Sequence, residues 1–440
     1  MPFCVRLRCV RRQWRDTCSM SLEMNSTSKL HLSPLQRLRR LPFVAWIIFY
    51  CAILWGIFGA LLGAVTPNLR AQMGLSFDQV GWLMALWTSG GAVGSLLGGA
   101  IAKRFLPRRL LRAYSSAVVL ALAGLLLAPG FVSLALCMVL IAVFETALFT
   151  LGHGLLSEIS EDPEERTRII SLVDVSYSMG TILSPLVVSA VLLFTPWWRA
   201  PYAVFGVLAI SLWVLTLQKQ RLHSAAFRQH EEASTGGDQH VLGYVQLLRQ
   251  PLIQRVCAAG LFSGFIEWGQ YFWFVSYASV GLGMGSQGAR LALGFLMVGM
   301  TVGRLWQAFI PSRWSMGQKL QGLSVLGALA LVGMALLPLQ VDFAYVAILN
   351  FLAGLGVSVG FPILLGSALQ GFPAQAPRLS AILMITFTVG SQLAALLLGY
   401  LAEIMDLRTV YSALALGAIA LCLTVWRLVK FLSYIKTQAD

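Results

Sequence analysis

Two acids stand deep inside long apolar stretches, and they are the residues best placed to do chemistry. Glu145 lies within FVSLALCMVLIAVFETALFTLGHGLL and Glu267 within PLIQRVCAAGLFSGFIEWGQYFWFVS. A charge at the centre of a bilayer costs on the order of 2.5–3.5 kcal/mol on insertion scales, so it persists mainly where it faces a cavity or a partner. A carboxyl in such surroundings favours its neutral form, which makes Glu145 a candidate proton carrier. Glu267 falls on one helical face with Ser263, Gln270, Tyr271 and Phe274 by three- and four-residue spacing. Acid, amide, phenol and ring on one stripe suit a polar solute with some apolar surface. Trp268 and Trp273 fall on other faces and read as packing residues.

A second stripe, Ser171, Asp174, Ser178 and Thr181, runs along another apolar segment. Asp174 lies near its start, close in sequence to His153 and to the acidic stretch at 158–165, and both a gate contact and a solute contact are open for it. Arg304 is a counter-charge for a carboxylate or for an anionic solute, unless its long stem carries the guanidinium to the membrane interface. Asn350 and Gln392 can offer hydrogen bonds from the second half of the chain. His223, His230 and His240 lack any metal-ligand spacing, and the seven cysteines contain no CxxC pair. Neither a metal nor a cofactor is expected. No phosphate loop or nucleophile motif occurs in the short loops, which argues against an enzyme.

The elements that must position these residues are long and apolar. Of 440 residues, 58% are hydrophobic and 11% charged, and mean hydropathy is +0.76. A soluble core of that size would need a charged surface that this sequence cannot supply. Apolar blocks near the ~20 residues of a membrane-crossing helix recur along the chain. They predict helices at 43–65, 80–102, 110–128, 131–155, 169–194 and 198–217, then at 252–277, 290–310, 320–337, 343–365, 379–401 and 410–432. The expected architecture is an all-α membrane protein of twelve transmembrane helices in two six-helix bundles, residues 42–217 and 251–432. Between them lies a polar cytoplasmic linker, 218–250. Six plus six around a charged central loop is the layout of one large class of secondary transporters.

Charge placement orients the chain. The net charge of +14 is concentrated in the N-terminal tail, in the linker and in alternate loops, so both termini are expected on the cytoplasmic side. The basic partner is then the lipid bilayer and not a nucleic acid. Three readings stay open for the basic segment 1–41: a cytoplasmic tail, an over-long start with Met20 or Met24 as the true one, and an organellar targeting peptide. A second cytoplasmic tail is expected at 433–440. Gly90, Gly94 and Gly98 make a ridge without side chains, which predicts close approach of another helix.

The loop after the second segment resembles the signature of the major facilitator superfamily, G-x-L-A-D-R-x-G-R-[RK]-x-x-L. This chain reads Gly99-Ala100-Ile101-Ala102-Lys103-Arg104-Phe105-Leu106-Pro107-Arg108-Arg109-Leu110-Leu111. The first glycine, Arg104, Arg108 and Leu111 match in place. Lys103 replaces the aspartate and Leu106 the second glycine. The resemblance implies the facilitator fold over 43–432 and a gating role for Lys103, Arg104 and Arg108, with Gly303 and Arg304 a fainter echo of the motif in the second half; Asp174 joins the gate candidates by its position, with a solute contact equally open. The reversed charge at Lys103 would call for an acid such as Glu158 or Glu161. Glu145-Thr146-Ala147 resembles the E-T-A of the fucose–proton symporter branch, in which the glutamate couples to protons. Gly360-Phe361-Pro362-Ile363 resembles that branch's F-P break. The chain departs from the branch in having no Asn-Pro after Ala147 and no acid in its first segment. Gly180, Ser184 and Pro185 loosely resemble the G-x-x-x-G-P of drug–proton antiporters.

These readings converge on a proton-coupled secondary transporter working by alternating access. It would carry a small polar organic solute, with Glu145 binding the proton and Glu267, Gln270, Tyr271, Asn350 and Gln392 lining the path. An exporter of drugs or siderophore-like metabolites on the same architecture is the alternative. A monomer in the bacterial inner membrane is expected.

Overall fold

A computed structural model describes residues 41–102, 105–157, 163–218, 243–309, 314–372 and 375–439. The chain divides into two compact units, Met1–Trp46 and Ile47–Asp440. Of the first, residues 41–46 are described, and they open the first helix. The packing and the site described below lie in the second.

The described residues are helical throughout, with short connections and no strand among them. The helices are α1 (Phe43–Met73), α2 (Phe77–Ala102), α3 (Pro107–Leu127), α4 (Phe131–Ser157), α5 (Pro163–Phe194), α6 (Ala200–Thr216), α7 (Pro251–Ser276), α8 (Ser286–Phe309), α9 (Met316–Ala335), α10 (Phe343–Val357), α11 (Gly360–Gly371), α12 (Ala376–Ile404) and α13 (Leu407–Ala439). One helical turn, Tyr244–Leu248, precedes α7, and a π-helical turn, Tyr277–Gly281, follows it. Among the described residues, ten segments are long and apolar enough to cross a membrane, with α10 and α11 counted as one, Phe343–Gly371. The 17-residue α6 is shorter than those ten, and α7, which carries Arg255, Glu267 and Gln270, is not among them. Leu120, Val132, Leu329 and Leu416 are 65–79% exposed. Apolar area of that extent on a folded surface calls for hydrocarbon around it.

The helices begin where the sequence supplies caps. Proline opens α3, α5 and α7 at Pro107, Pro163 and Pro251, where its missing N–H costs nothing. Ser315 and Gln318 form a reciprocal capping box at the start of α9. Two predicted boundaries differ for physical reasons. The first helix does not stop at Thr66 and Pro67 but runs on to Met73, because tertiary contacts hold its last turns. Thr66 donates to Leu62 O (2.7 Å), Arg290 Nε donates to Ala64 O (3.0 Å), and Asn68 and Gln72 donate to Pro196 O. The tenth predicted segment is not continuous but breaks at Ser358 and Val359 into α10 and α11.

Packing follows the glycines. A Cβ on Gly94 would stand 2.1 Å from Val143 O, and Cβ atoms on Gly90 and Gly98 would crowd Val139 O and Ala147 O. The ridge is therefore the face on which α2 meets α4. Within the first six helices, α3 packs on α4 and α6; among the rest, α7 packs on α12 and α13, α8 on α10, and α9 on α10 and α13. Two further pairings, α2 with α12 and α5 with α8, join the early helices to the late ones.

Candidate functional site

The site is assembled where α1, α5, α7 and α8 come together, and three absent side chains let them. A Cβ on Gly56 would lie 2.1 Å from Tyr177 O, and one on Gly180 2.0 Å from Ile53 O, so α1 and α5 touch backbone to backbone. One on Gly63 would lie 1.9 Å from Tyr271 O, which brings α1 onto α7 in the same way. These contacts set Tyr177 and Tyr271 beside each other, where their hydroxyls share a hydrogen bond.

Glu267 and Arg304 face each other next to that pair of phenols. Arg304 Nη2 lies 3.8 Å from Glu267 Oε1, and the two side chains are 27% and 13% exposed. The guanidinium also reaches Ser178 Oγ at 3.5 Å and sits 5.4 Å from the centre of the Tyr177 ring, both on α5. Its Nε points at Ser358 O, at 3.4 Å. That carbonyl is available because Pro362, four residues on, has no N–H to donate to it. The proline break noted in the sequence thus has a structural use: it frees an acceptor for Arg304. Gly303 permits the approach, since its Cβ would fall 2.0 Å from Ser358 Oγ.

Two more ionisable groups adjoin this centre. Asp174 lies within electrostatic reach of both Arg304 and His153, and His153 meets the edge of Phe149. Phe149, Trp55 and Tyr177 form an aromatic wall: Trp55 stacks on Phe149 at 4.0 Å and lies 4.5 Å from Tyr177. Trp55 Nε1 donates to Thr146 Oγ1 (3.3 Å), which fixes its plane. Asp174 is exposed and His153, Phe149 and Trp55 are half-buried, so the wall has an open side.

Other expected residues lie elsewhere. Glu145 is 3% exposed, and its carboxyl lines a void of about 10 Å³ with Cys51, Leu54 and Phe58 of α1, Ser115 and Val118 of α3, and Ala209 and Leu212 of α6. Neither of its oxygens has a hydrogen-bond partner. It therefore occupies the interior of the first half and not the centre formed around Arg304, although Tyr177 feels its charge. Gln270 is fully buried and donates to Ile266 O of its own helix. Asn350 donates to Ala292 O (2.7 Å) and so ties α10 to α8. Gln392 donates to Ser89 Oγ (2.7 Å), a tie between α12 and α2. Arg108 is half-buried at the start of α3. Lys103, Arg104, Glu158 and Glu161 lie outside the described residues.

One constellation was not anticipated. At the end that holds the α1–α2 and α7–α8 connections, Arg290 of α8 bonds to Ala64 O and to Asn68 Oδ1 of α1. Beside it, Glu403 Oε1 of α12 accepts from the backbone N–H groups of Phe77 and Asp78 at the start of α2. Those N–H groups have no intrahelical acceptor and carry the positive end of the helix dipole. Arg290 is 4% exposed.

Comparison with known proteins places this geometry. The family model described as Major Facilitator Superfamily matches residues 44–391. The chain belongs to that superfamily. A major facilitator protein is a secondary transporter and not an enzyme, and it spans the membrane many times. Among curated proteins, the chain is 23% identical over 381 residues to a "Protein TsgA homolog" of Erwinia tasmaniensis, covering 84% of this chain and 90% of that one. A "Protein TsgA homolog" of Edwardsiella ictaluri is 22% identical over 368 residues, 81% and 87% of the two chains. Among solved structures, the nucleoside transporter NupG superposes with a TM-score of 0.71 at 14% identity, over 88% of this chain and 99% of that one. A bacterial homolog of the human lysosomal transporter Spinster, inward-facing and occupied, gives 0.61 at 15% identity, over 88% and 94%. At these identities the superpositions speak for the facilitator fold alone.

Proposed function

We propose that this facilitator carries a small polar organic solute coupled to the movement of protons, by alternating access between two six-helix bundles, residues 42–217 and 251–432, that together span the membrane twelve times. The observation that carries this reading is Arg304: from the second half it pairs with Glu267 and also reaches Ser178 and the Tyr177 ring of the first half. An ionised cluster drawn from both halves changes its partners whenever the halves rock, which is what coupling requires. Glu145 supplies the proton site. With both oxygens unpartnered in an apolar interior, its carboxyl costs least as the neutral acid. The protein sits in the bacterial inner membrane as a monomer with both termini cytoplasmic, a reading supported by its relatives in Erwinia tasmaniensis and Edwardsiella ictaluri.

The test begins with a stabilisation screen of sugars, amino acids, organic acids, dyes and siderophores on purified protein. Each hit is then added to proteoliposomes holding a trapped pH-sensitive dye. A hit should drive a pH change in the wild type, and none in Glu145→Gln, which keeps solute exchange. An undiminished pH change in Glu145→Gln removes that residue's role, and hits that never cross the membrane remove the transport reading. The sign of flux in inside-out vesicles separates uptake from export.

A further inference from the structure

We propose that Arg304 is an oxyanion-binding residue, and that the solute is a small organic anion whose flat apolar body lies against Trp55, Phe149 and Tyr177. This rests on the transport reading above and names the solute class of the same site.

The argument starts from the looseness of the guanidinium. Charge-assisted N–H···O bonds close to about 2.7–2.9 Å when both partners are free to meet. Arg304 has Ser358 O at 3.4 Å, Ser178 Oγ at 3.5 Å and Glu267 Oε1 at 3.8 Å, all longer than such bonds. The Glu267 contact is beyond about 3.5 Å, the separation at which an intervening group has to be considered. Five donors in a rigid fork match a carboxylate or phosphate two at a time, so an oxyanion entering from the open side can close bonds that Glu267 leaves long.

The surroundings select among solutes. A cation would have to share the Tyr177 ring face with the guanidinium already over it. A neutral polyol would leave the guanidinium as loosely paired as before. An anion answers it by closing shorter bonds than Glu267 and Asp174 make, Asp174 lying within electrostatic reach of Arg304 and, more weakly, of His153. Trp55, packed against Phe149 at 4.0 Å and Tyr177 at 4.5 Å, gives the site an aromatic border next to the charge. A planar ring or short unsaturated chain bearing one acidic group fits both features.

Three probes of one size and different charge test this: benzoate, benzamide and benzylamine, titrated calorimetrically into the full-length protein in detergent, with thermal midpoints measured in parallel. Benzoate should bind and raise the midpoint, while benzamide and benzylamine should do neither. Arg304→Lys should weaken benzoate by about tenfold, because an ammonium cannot make the paired contact. Arg304→Gln should abolish it. Should Arg304→Gln fold poorly through the acid it strands, the double variant Glu267→Gln with Arg304→Gln removes both charges and should fold yet still ignore benzoate. Binding of benzamide or benzylamine in place of benzoate overturns the assignment, as does benzoate binding that survives in the double variant, or no binding by any probe at millimolar concentration. A neutral or cationic hit from the wider screen that crosses the membrane overturns the anion and leaves transport standing. Anion binding with no flux does the reverse.

Discussion

Glu145 and Glu267 are the same residue in similar apolar helices, and their settings could hardly differ more. Glu145 is enclosed by α1, α3, α4 and α6, with neither oxygen partnered. Glu267 faces Arg304 at 3.8 Å beside groups from two other helices. The first acid can change only by taking or giving a proton. The second can also change its partner. Under the proposed coupling, binding a solute and binding a proton are separate tasks, and the two acids lie in separate places.

The largest effect expected from this contrast is on stability at the pair. Removing one partner of a buried ion pair costs about 3–5 kcal/mol, because the other is left uncompensated, while removing both is often nearly neutral. With the pair 3.8 Å apart and its side chains 27% and 13% exposed, Arg304→Gln should lower the thermal midpoint by part of that amount, and the double variant Arg304→Gln with Glu267→Gln should recover most of the loss. Glu145→Gln, which strands no charge, should leave the midpoint close to wild type. Equal losses in Glu145→Gln and Arg304→Gln would mean that the two acids are not distinct in kind.

A smaller effect belongs to the end closed by Arg290 and Glu403. A carboxylate at a helix N-terminus contributes about 0.3–1 kcal/mol, so Glu403→Gln should shift the balance towards opening of that end by about two- to fivefold. Distances between spin labels on the α1–α2 and α7–α8 connections would report it. A distribution unchanged in Glu403→Gln would reduce the contact to a simple cap.

How much of this was legible in the chain follows from what sequence carries. Hydrophobic length marked which stretches are helical, since burying twenty apolar residues in a row leaves few alternatives, while several ends lie six to eight residues from where apolarity put them, as at Met73, Pro163 and Ala439. The glycine ridge at Gly90, Gly94 and Gly98 read correctly as a packing face, because a missing Cβ is visible in the letters. The stripe through Glu267 and Tyr271 was legible too, being a matter of spacing along one helix. The Tyr177 ring under Arg304 was not, and nor was the placement of Glu145 inside one half. Both depend on which helix lies opposite, and periodicity along a helix says nothing of its neighbour. Pro67 misled for a related reason: the stretch around it is tied to α8 and to Pro196 by partners more than 120 residues away, over 200 in the case of Arg290. Glu403 and Asn68 gave no signal because each acts only on a surface that the fold creates.

A third carboxylate completes the contrast and carries the smallest expected effect. Asp406 stands in the turn between α12 and α13, open to solvent, and accepts from Thr409 N (2.9 Å) and Thr409 Oγ1 (2.7 Å). These bonds to its charged form hold its pKa below the usual carboxylate range. A group depressed on folding adds stability above its unfolded value, and that stability fades as pH falls through the folded one. The acid limb of a melting-temperature profile should thus be slightly flatter below about pH 4 in Asp406→Asn than in the wild type. The change should be modest, because water competes for every bond this side chain makes. If it equals the effect of removing Glu267, then solvation does not separate the three acids, and the division of labour between proton site and ion pair loses its physical basis.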